Sequence, residues 1–436
     1  MLGHKARMTY RNKGVTGGQP TTRGLFAWAL YDWANSSFST VILTFVFAAY
    51  FTRQVAPTET AGSSNWGLAV GTAGIAIAVL GPVLGAIADQ KGRRKPWLGA
   101  FTFLCVAMTG LLWFVKPETS SMRPAMILVW FAILGAELAA VFYNAMLPAL
   151  AGPERVGRWS GWGWGLGYIG GLACLALSLL LFVRDEALLG FERETAGHVR
   201  ATFVFVAVWF AVFSLPLFLL TPDEPKKNIS LAEAVRKGLG QLGRTLRDVR
   251  EYMTIVRFLI ARMIYIDGLA TVFAFGGVYA AGTFGMSEQK VLLFGITLNV
   301  TAGLGAFVFS WVDDKIGSRR TILFSLVGLL LPGIAMLFVE STKTFWLLGL
   351  ILGIFVGPVQ AASRSYLARA APDRLRNQMF GLYALSGKAT AFAGPLAVGG
   401  LTALTGNQRI GMSAIMVLLF AGLILTWTLP PASEAQ

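Results

Sequence analysis

The sequence predicts an all-α membrane protein: twelve transmembrane helices in two six-helix bundles related by a pseudo-two-fold axis. Three observations carry that prediction. The 436 residues are 55% hydrophobic and only 14% charged, with a mean hydropathy of +0.62, outside the range of soluble globular chains. A basic stretch, Gly85-Ala-Ile-Ala-Asp-Gln-Lys-Gly-Arg-Arg-Lys-Pro-Trp-Leu, is wedged between two apolar runs, each long enough to cross a bilayer. The same pattern returns 225 residues later as Ser310-Trp-Val-Asp-Asp-Lys-Ile-Gly-Ser-Arg-Arg, with Asp314, Gly317, Arg319 and Arg320 in the places of Asp89, Gly92, Arg94 and Lys95. A duplicated loop implies a duplicated half.

A span needs about 20 apolar residues, and twelve candidates lie near 25–51, 66–88, 96–115, 124–147, 159–183, 201–220, 256–281, 290–312, 321–339, 344–368, 378–404 and 409–429. Residues 1–23 form a basic, Gly-rich tail. No small-x-small site follows a short apolar core there, so the first run is expected to stay as helix one. Asp89, Lys91, Arg93, Arg94 and Lys95 cannot sit in hydrocarbon. The chain must therefore surface after the second run, and the basic groups mark that surface as cytoplasmic.

Of the 37 Lys and Arg, 25 fall on that side, 9 on the other and three at membrane depth. The net charge of +15 is thereby a topology signal and not a nucleic-acid footprint. Both termini are expected in the cytoplasm, in a bacterial inner membrane, and the chain is expected to be a monomer.

The six-span units run over 24–220 and 256–430, with a tail over 431–436. Between them lies a polar linker, 221–255. Within it Ser230 and Glu233 have capping-box spacing, and Leu231, Val235, Leu239, Leu242, Leu246 and Val249 recur every three or four residues. Arg236, Lys237, Arg244, Arg247 and Arg250 fill the other face. The pattern predicts an amphipathic helix along the cytoplasmic surface, either in contact with the lipid bilayer or a plain connector. Arg364 and Lys388 interrupt the tenth and eleventh spans. A second echo, Leu147-Pro-Ala-Leu-Ala-Gly-Pro-Glu-Arg against Leu367-Ala-Arg-Ala-Ala-Pro-Asp-Arg, supports parallel repeats about an axis along the membrane normal.

The loop at Gly85 resembles the signature loop of the major facilitator superfamily in spacing and placement. Tyr31-Asp-Trp-Ala-Asn-Ser-Ser-Phe, Tyr143-Asn-Ala-Met-Leu-Pro and Ser363-Arg-Ser with Leu385-Ser-Gly-Lys-Ala-Thr-Ala-Phe are similar to its vacuole-effluxer-like branch, whose fungal members are linked to amino-acid efflux. The resemblance implies a secondary transporter whose first, fourth, seventh and tenth helices line the path. It further implies a latch on the cytoplasmic side: Asp89 accepts hydrogen bonds from neighbouring helix ends and Arg93 reaches an adjacent helix. Gly85 and Gly92 belong to that loop, and Asp314, Gly317 and Arg319 to its second copy, where Ser310 replaces the first glycine. A topology determinant with no gating role is the alternative.

A charge at a helix centre costs about 2.5–3.5 kcal/mol on insertion scales, so such residues turn to the bundle interior and are functional candidates. There are six: Asp32, Glu137, Arg262, Asp267, Arg364 and Lys388. Five fall on the four helices that the resemblance assigns to the path. Asp32, Asn35, Ser36 and Ser39 form one polar stripe, Glu137 and Asn144 share a face, and so do Gln360, Ser363 and Arg364. Arg262 and Asp267 are expected as an intramembrane ion pair. Glu137 and Lys388, nearest mid-membrane among small or apolar neighbours, are expected to be less completely paired. A carboxylate among Glu137, Asp32 and Asp267 is the candidate proton carrier, because burial raises a carboxyl pKa and a nearby base lowers it. Arg364 and Lys388 are candidates to hold a carboxylate of the cargo.

Other patterns lack parts. Gly165-Leu-Gly-Tyr-Ile-Gly lies inside a span with no strand before it, so its glycines, with Gly161 and Gly163, read as helix-packing residues and not as a dinucleotide loop. Ser386-Gly-Lys-Ala lacks the rest of a phosphate loop. Cys105 and Cys174 sit in apolar spans. The only histidines are His4 and His198, and no metal, cofactor or enzymatic nucleophile is expected. Trp159, Trp162 and Trp164 read as interfacial anchors. The sequence thus predicts an alternating-access carrier of a small zwitterionic or anionic metabolite, amino acids first, with a proton as coupling partner. An exporter of lipophilic compounds or lysolipids, and a receptor or scaffold that transports nothing, are the alternatives.

Overall fold

The computed structural model describes residues 21–184 and 188–432. Most of the tail over 1–23, with His4, and most of the tail over 431–436 lie outside the described residues. Eleven helices among the described residues are long and apolar enough to span a membrane. They are α1 Thr22–Val55, α3 Lys95–Phe114, α4 Thr119–Ala151, α5 Val156–Val183 and α6 Gly197–Leu220, α2 Glu59–Lys91, α8 Met253–Phe284, α9 Glu288–Ile316, α10 Ser318–Met336, α11 Thr342–Ala370 and α14 Gln408–Trp427. The linker contributes α7 Leu231–Arg247.

The run expected as an eleventh continuous helix, 378–404, is broken. It forms α12 Arg376–Ser386 and α13 Ala393–Thr405, joined by non-helical residues 387–392. Gly387 ends the first piece, and Pro395 stands in the first turn of the second, where a missing N–H costs nothing. Freed backbone groups at membrane depth need partners, and α8 supplies them. Arg262 Nη1 donates to the Tyr383 carbonyl (2.8 Å) and Ser386 Oγ (2.6 Å) at the end of α12, with its guanidinium 3.4 Å over the Tyr383 ring. The Gly394 N–H donates to Asp267 Oδ2 (3.0 Å) at the start of α13.

A cation thus meets a helix C-terminus and an anion a helix N-terminus, as the peptide dipoles favour. This corrects the expected Arg262–Asp267 ion pair: five residues apart on a helix they point about 140° apart, and each serves a different end of the break.

The helices form two bundles, α1 to α6 and α8 to α14. α2 alone, 33 residues, is about 50 Å long against a hydrocarbon core of about 30 Å, so its Asp89–Lys91 end projects beyond the core. That end, shared by the loops after α2 and α9, is here the basic end. Gly92 (φ 85°) and Gly317 (φ 86°) turn the chain there in a conformation that side chains disfavour.

α7 starts as the capping-box spacing predicts, Ser230 Oγ accepting from the Glu233 N–H at 3.1 Å. Its protein-facing side is not the leucine stripe. Ala234, Gly238 and Thr245 are buried, while Leu231 and Leu239 stay exposed. Only small residues allow the approach, since a Cβ on Gly238 would lie 2.9 Å from the Ile87 nitrogen.

Candidate functional site: the charged seam

The two bundles meet along α2–α12 and α5–α9, with α11 against α5. α5 makes this possible with glycine on two faces. A Cβ on Gly161 would fall 3.0 Å from Ser310 Cα of α9, and one on Gly163 would fall 2.8 Å from Arg364 Nη2 and closer still to Asp32 Oδ2. Gly161 and Gly163, just ahead of the rejected dinucleotide pattern, therefore admit a helix and a charged cluster.

Arg364, 3% exposed, crosses from α11 into the first bundle. Its Nη1 donates to Asp32 Oδ2 of α1 (2.9 Å) and Asn144 Oδ1 of α4 (3.3 Å). Its Nε donates to Ser160 Oγ of α5 (2.9 Å), and Nη2 to the Ser160 carbonyl (2.6 Å). The rings of Trp28, Tyr143 and Trp164 surround the guanidinium, with centroids 5.0, 5.7 and 5.8 Å away. Trp28 is itself held, stacked on Tyr143 at 4.5 Å and donating Nε1–H to the Tyr143 carbonyl (3.0 Å). A planar donor with five N–H groups suits this cage, and a lysine ammonium would not.

A second pair crosses the seam at the break. Lys388 Nζ lies 2.7 Å from Glu137 Oε1, each side chain 33% exposed. The sequence expectation of incomplete pairing is corrected here: the break moves Lys388 out of a helix and lets it reach α4. This pair is wet where Arg364 is dry, so its Coulomb term is screened and its partners are exchangeable. Gln360 Nε2 donates across the seam to the Tyr168 hydroxyl (3.0 Å). Of the polar stripe on α1, Asp32 is engaged, whereas Asn35 Oδ1 is buried without a hydrogen-bond partner among the described residues. Asp267 stays with the broken helix, its Oδ1 likewise without a partner.

At the basic end each signature loop caps a helix of the opposite bundle. The N–H groups of Asn377 and Gln378, in the first turn of α12, donate to Asp89 Oδ1 (3.1 Å) and Oδ2 (3.0 Å), and Asn377 Nδ2 adds a third bond (2.7 Å). The N–H groups of Gly157 and Arg158, in the first turn of α5, donate to Asp314 Oδ1 (2.9 Å) and Oδ2 (3.1 Å). Carboxylates at helix N-termini are favourable on dipole and hydrogen-bond grounds together. Gly85 permits the first contact, because a Cβ there would lie 2.7 Å from the Asn377 carbonyl carbon.

Arg93 is not the residue that reaches across; it is exposed. Arg94, 2% exposed, donates from Nε to Asn377 Oδ1 (3.1 Å) and pairs with Glu224 (2.7 Å). In the second copy Arg319 donates to the Trp427 carbonyl within its own bundle, and Arg369 binds Asp313 (2.7 Å) and Asp314 (3.0 Å).

Residues missed from the sequence are therefore Arg94, Ser160, Asp313, Arg369 and Asn377. Arg369 stood in the second loop echo, which offered a signal for that neighbourhood. Ser160 offered none, because its role depends on which helix lies opposite, and Gly163 read as a packing glycine without its charged neighbours. Gly163→Ala is expected to push Asp32 and Arg364 apart, lowering stability by about 1–3 kcal/mol and transport at least about tenfold, a 1.4 kcal/mol change in barrier. Thermal unfolding and flux in liposomes check both.

The family described as "Vacuole effluxer Atg22 like" matches residues 54–158 and 154–434. The uncharacterised MFS-type transporter YxiO of Bacillus subtilis (strain 168) is 26% identical over 424 residues, covering 94% of this chain and 95% of that protein. Autophagy-related protein 22-1 of Penicillium rubens is 26% identical over 291 residues, covering 62% of this chain and 48% of that protein. The chain thus spans about half the length of that fungal relative. Among solved structures, the proton:xylose symporter XylE bound to 6-bromo-6-deoxy-D-glucose superposes with a TM-score of 0.73 at 15% identity, over 94% of this chain and 96% of that one. At that identity the likeness concerns the fold.

Proposed function

From the premise that the chain belongs to the vacuole effluxer Atg22-like family, a multi-pass membrane transporter branch of the major facilitator superfamily, we propose that it exports a small polar metabolite, amino acids first, by proton-coupled alternating access. The family description supports efflux, and the basic end supports a cytoplasmic face of a bacterial inner membrane. One observation carries the mechanism: the membrane-depth charges of one bundle are paired with those of the other, Arg364 with Asp32 and Lys388 with Glu137. Rocking the bundles must break or remake any such pair that does not lie on the hinge, and a solute or proton that replaces a lost partner lowers the cost of doing so.

The wet pair is the natural exchange point. A cargo carboxylate takes the place of Glu137 on Lys388, and Glu137 is then free to take a proton or a cargo ammonium. The dry Arg364 cluster stays formed as the hinge of the seam, with the two Asp caps closing the basic end.

The test is counterflow in liposomes over a panel of amino acids and other organic anions, with and without an imposed pH gradient. Lys388→Ala is expected to weaken apparent cargo affinity at least about tenfold, equivalent to 1.4 kcal/mol. Glu137→Gln is expected to keep counterflow but lose the response to the gradient. Flux of the intact protein that ignores the gradient would remove the proton. Unchanged affinity in Lys388→Ala would remove that residue from the cargo site.

A further inference from the structure

Beside the α5–α9 contact, a crevice of about 630 Å³ lies between α1, α5, α6 and α9 at the basic end. Phe26, Trp162, Leu220 and Trp311 wall it, and Arg23 and Arg158 complete its lining. Phe26, Leu220 and Trp311 are 47, 55 and 41% exposed, on helices that cross the bilayer, so the slot opens toward lipid.

The two arginines are placed against the helix dipoles. Arg23 stands in the first turn of α1 and Arg158 in the first turn of α5, the positive ends of the helix dipoles, where Thr21 caps α1 and Asp314 caps α5. Such placement does not stabilise the helices. It concentrates positive potential at one end of an apolar slot.

Neither charge is neutralised closely. Arg23 is exposed and has no ion-pair partner among the described residues. Arg158 has only a loose one, Nε to Asp314 Oδ2 at 3.7 Å, and Asp314 is already engaged by Arg369 and by two backbone N–H groups.

We propose that this crevice seats one anionic glycerophospholipid, its phosphate between Arg23 and Arg158 and an acyl chain along the aromatic wall. A neutral lipophile would have no use for the paired cations, and a free phosphate none for the wall. The site also reports on conformation. Trp311 belongs to the second bundle and packs against Trp162 of the first, ring centroids 6.0 Å apart, so the slot has both walls only while α5 and α9 are together at the basic end. A ligand that binds one state and not the other shifts the population toward it. An anionic lipid seated here therefore favours the form closed at the basic end.

The test uses the full chain purified in a neutral detergent. Thermal unfolding is followed during titration with dioleoylphosphatidylglycerol, dioleoylphosphatidylcholine or inorganic phosphate, and bound lipid is counted by native mass spectrometry. Phosphatidylglycerol alone is expected to raise the midpoint by several degrees and to leave one retained copy. R23Q/R158Q is expected to weaken its apparent affinity at least about tenfold, and W311A to remove the single adduct. R236Q, on the linker helix, is expected to leave it intact and controls for general basicity. Should R23Q/R158Q fail to fold, R23Q alone, at an exposed side chain, reports the same loss. An equal response to phosphatidylcholine, reproduction of the shift by phosphate, or unchanged phosphatidylglycerol binding in the arginine variants would overturn the proposal.

Discussion

Replacing Arg364 with alanine is expected to abolish transport and to cost about 3–5 kcal/mol of stability, the usual result of leaving one partner of a buried ion pair uncompensated. The residue is 3% exposed and spends its donors on Asp32, Asn144 and Ser160, residues of three different helices in the other bundle. Removing it strands the Asp32 carboxylate and cuts four hydrogen bonds across the seam together.

Arg364→Lys is expected to recover part of the stability and little of the transport, since one ammonium cannot reproduce a planar fork aimed at four acceptors on three residues. Removing both charges, Asp32→Asn with Arg364→Gln, separates the two effects. Its stability is expected near that of the parent, because no unpaired charge remains buried, while transport stays lost. Unfolding midpoints and counterflow on the four proteins check this. Parental flux in Arg364→Ala would reduce the cluster to packing.

Asp89→Ala is expected to open the basic end. Asp89 accepts three hydrogen bonds from α12, and bonds to a charged group are worth about 1.5–3 kcal/mol each. Their sum, about 4.5–9 kcal/mol, is of the size needed to invert a two-state population, about 5.5 kcal/mol for a swing from 1:99 to 99:1. Asp89→Asn keeps an acceptor but loses the charge that suits the helix N-terminus, and is expected to fall between. The readout is the separation of the basic ends of α2 and α12, measured between spin labels. An Asp89→Ala protein that stays closed there would show the second copy, Asp313 and Asp314 with Arg369, to be sufficient.

The sequence disclosed which residues matter better than it disclosed what they touch. A charge at membrane depth is conspicuous because hydrocarbon penalises it wherever the helix lies, so Asp32, Glu137, Arg364 and Lys388 stood out without a structure. Pairing is a property of neighbouring helices. Arg262 and Asp267 were drawn together by closeness in sequence, yet helical geometry separates them, and the broken helix between Ser386 and Ala393 claims each. That break had a visible signal, Gly387 and then Gly394-Pro395 inside one apolar run, and it was hidden by the run's length and hydropathy.

The loop motif was equally clear as a motif. Which of Arg93 and Arg94 turns inward depends on the angle at which the loop leaves α2, and that angle is set by the positive-φ turn at Gly92 and by packing against the linker. On α7 the leucine stripe announced an amphipathic helix, but the face laid on α2 was chosen by the small residues Ala234 and Gly238, which permit contact where leucine does not.

The most direct test of two bundles rocking about a charged seam is a paired distance measurement in liposomes. One spin-label pair sits at Arg93 and Arg374 at the basic end, and the other at Ser64 and Leu404 at the opposite end, all exposed positions. Rocking predicts two populations whose distances are anticorrelated, short at one end when long at the other, with the balance moved by cargo or pH in the parent and toward basic-end opening in Asp89→Ala. A single distance at each end, unchanged by cargo, pH or that substitution, would contradict it.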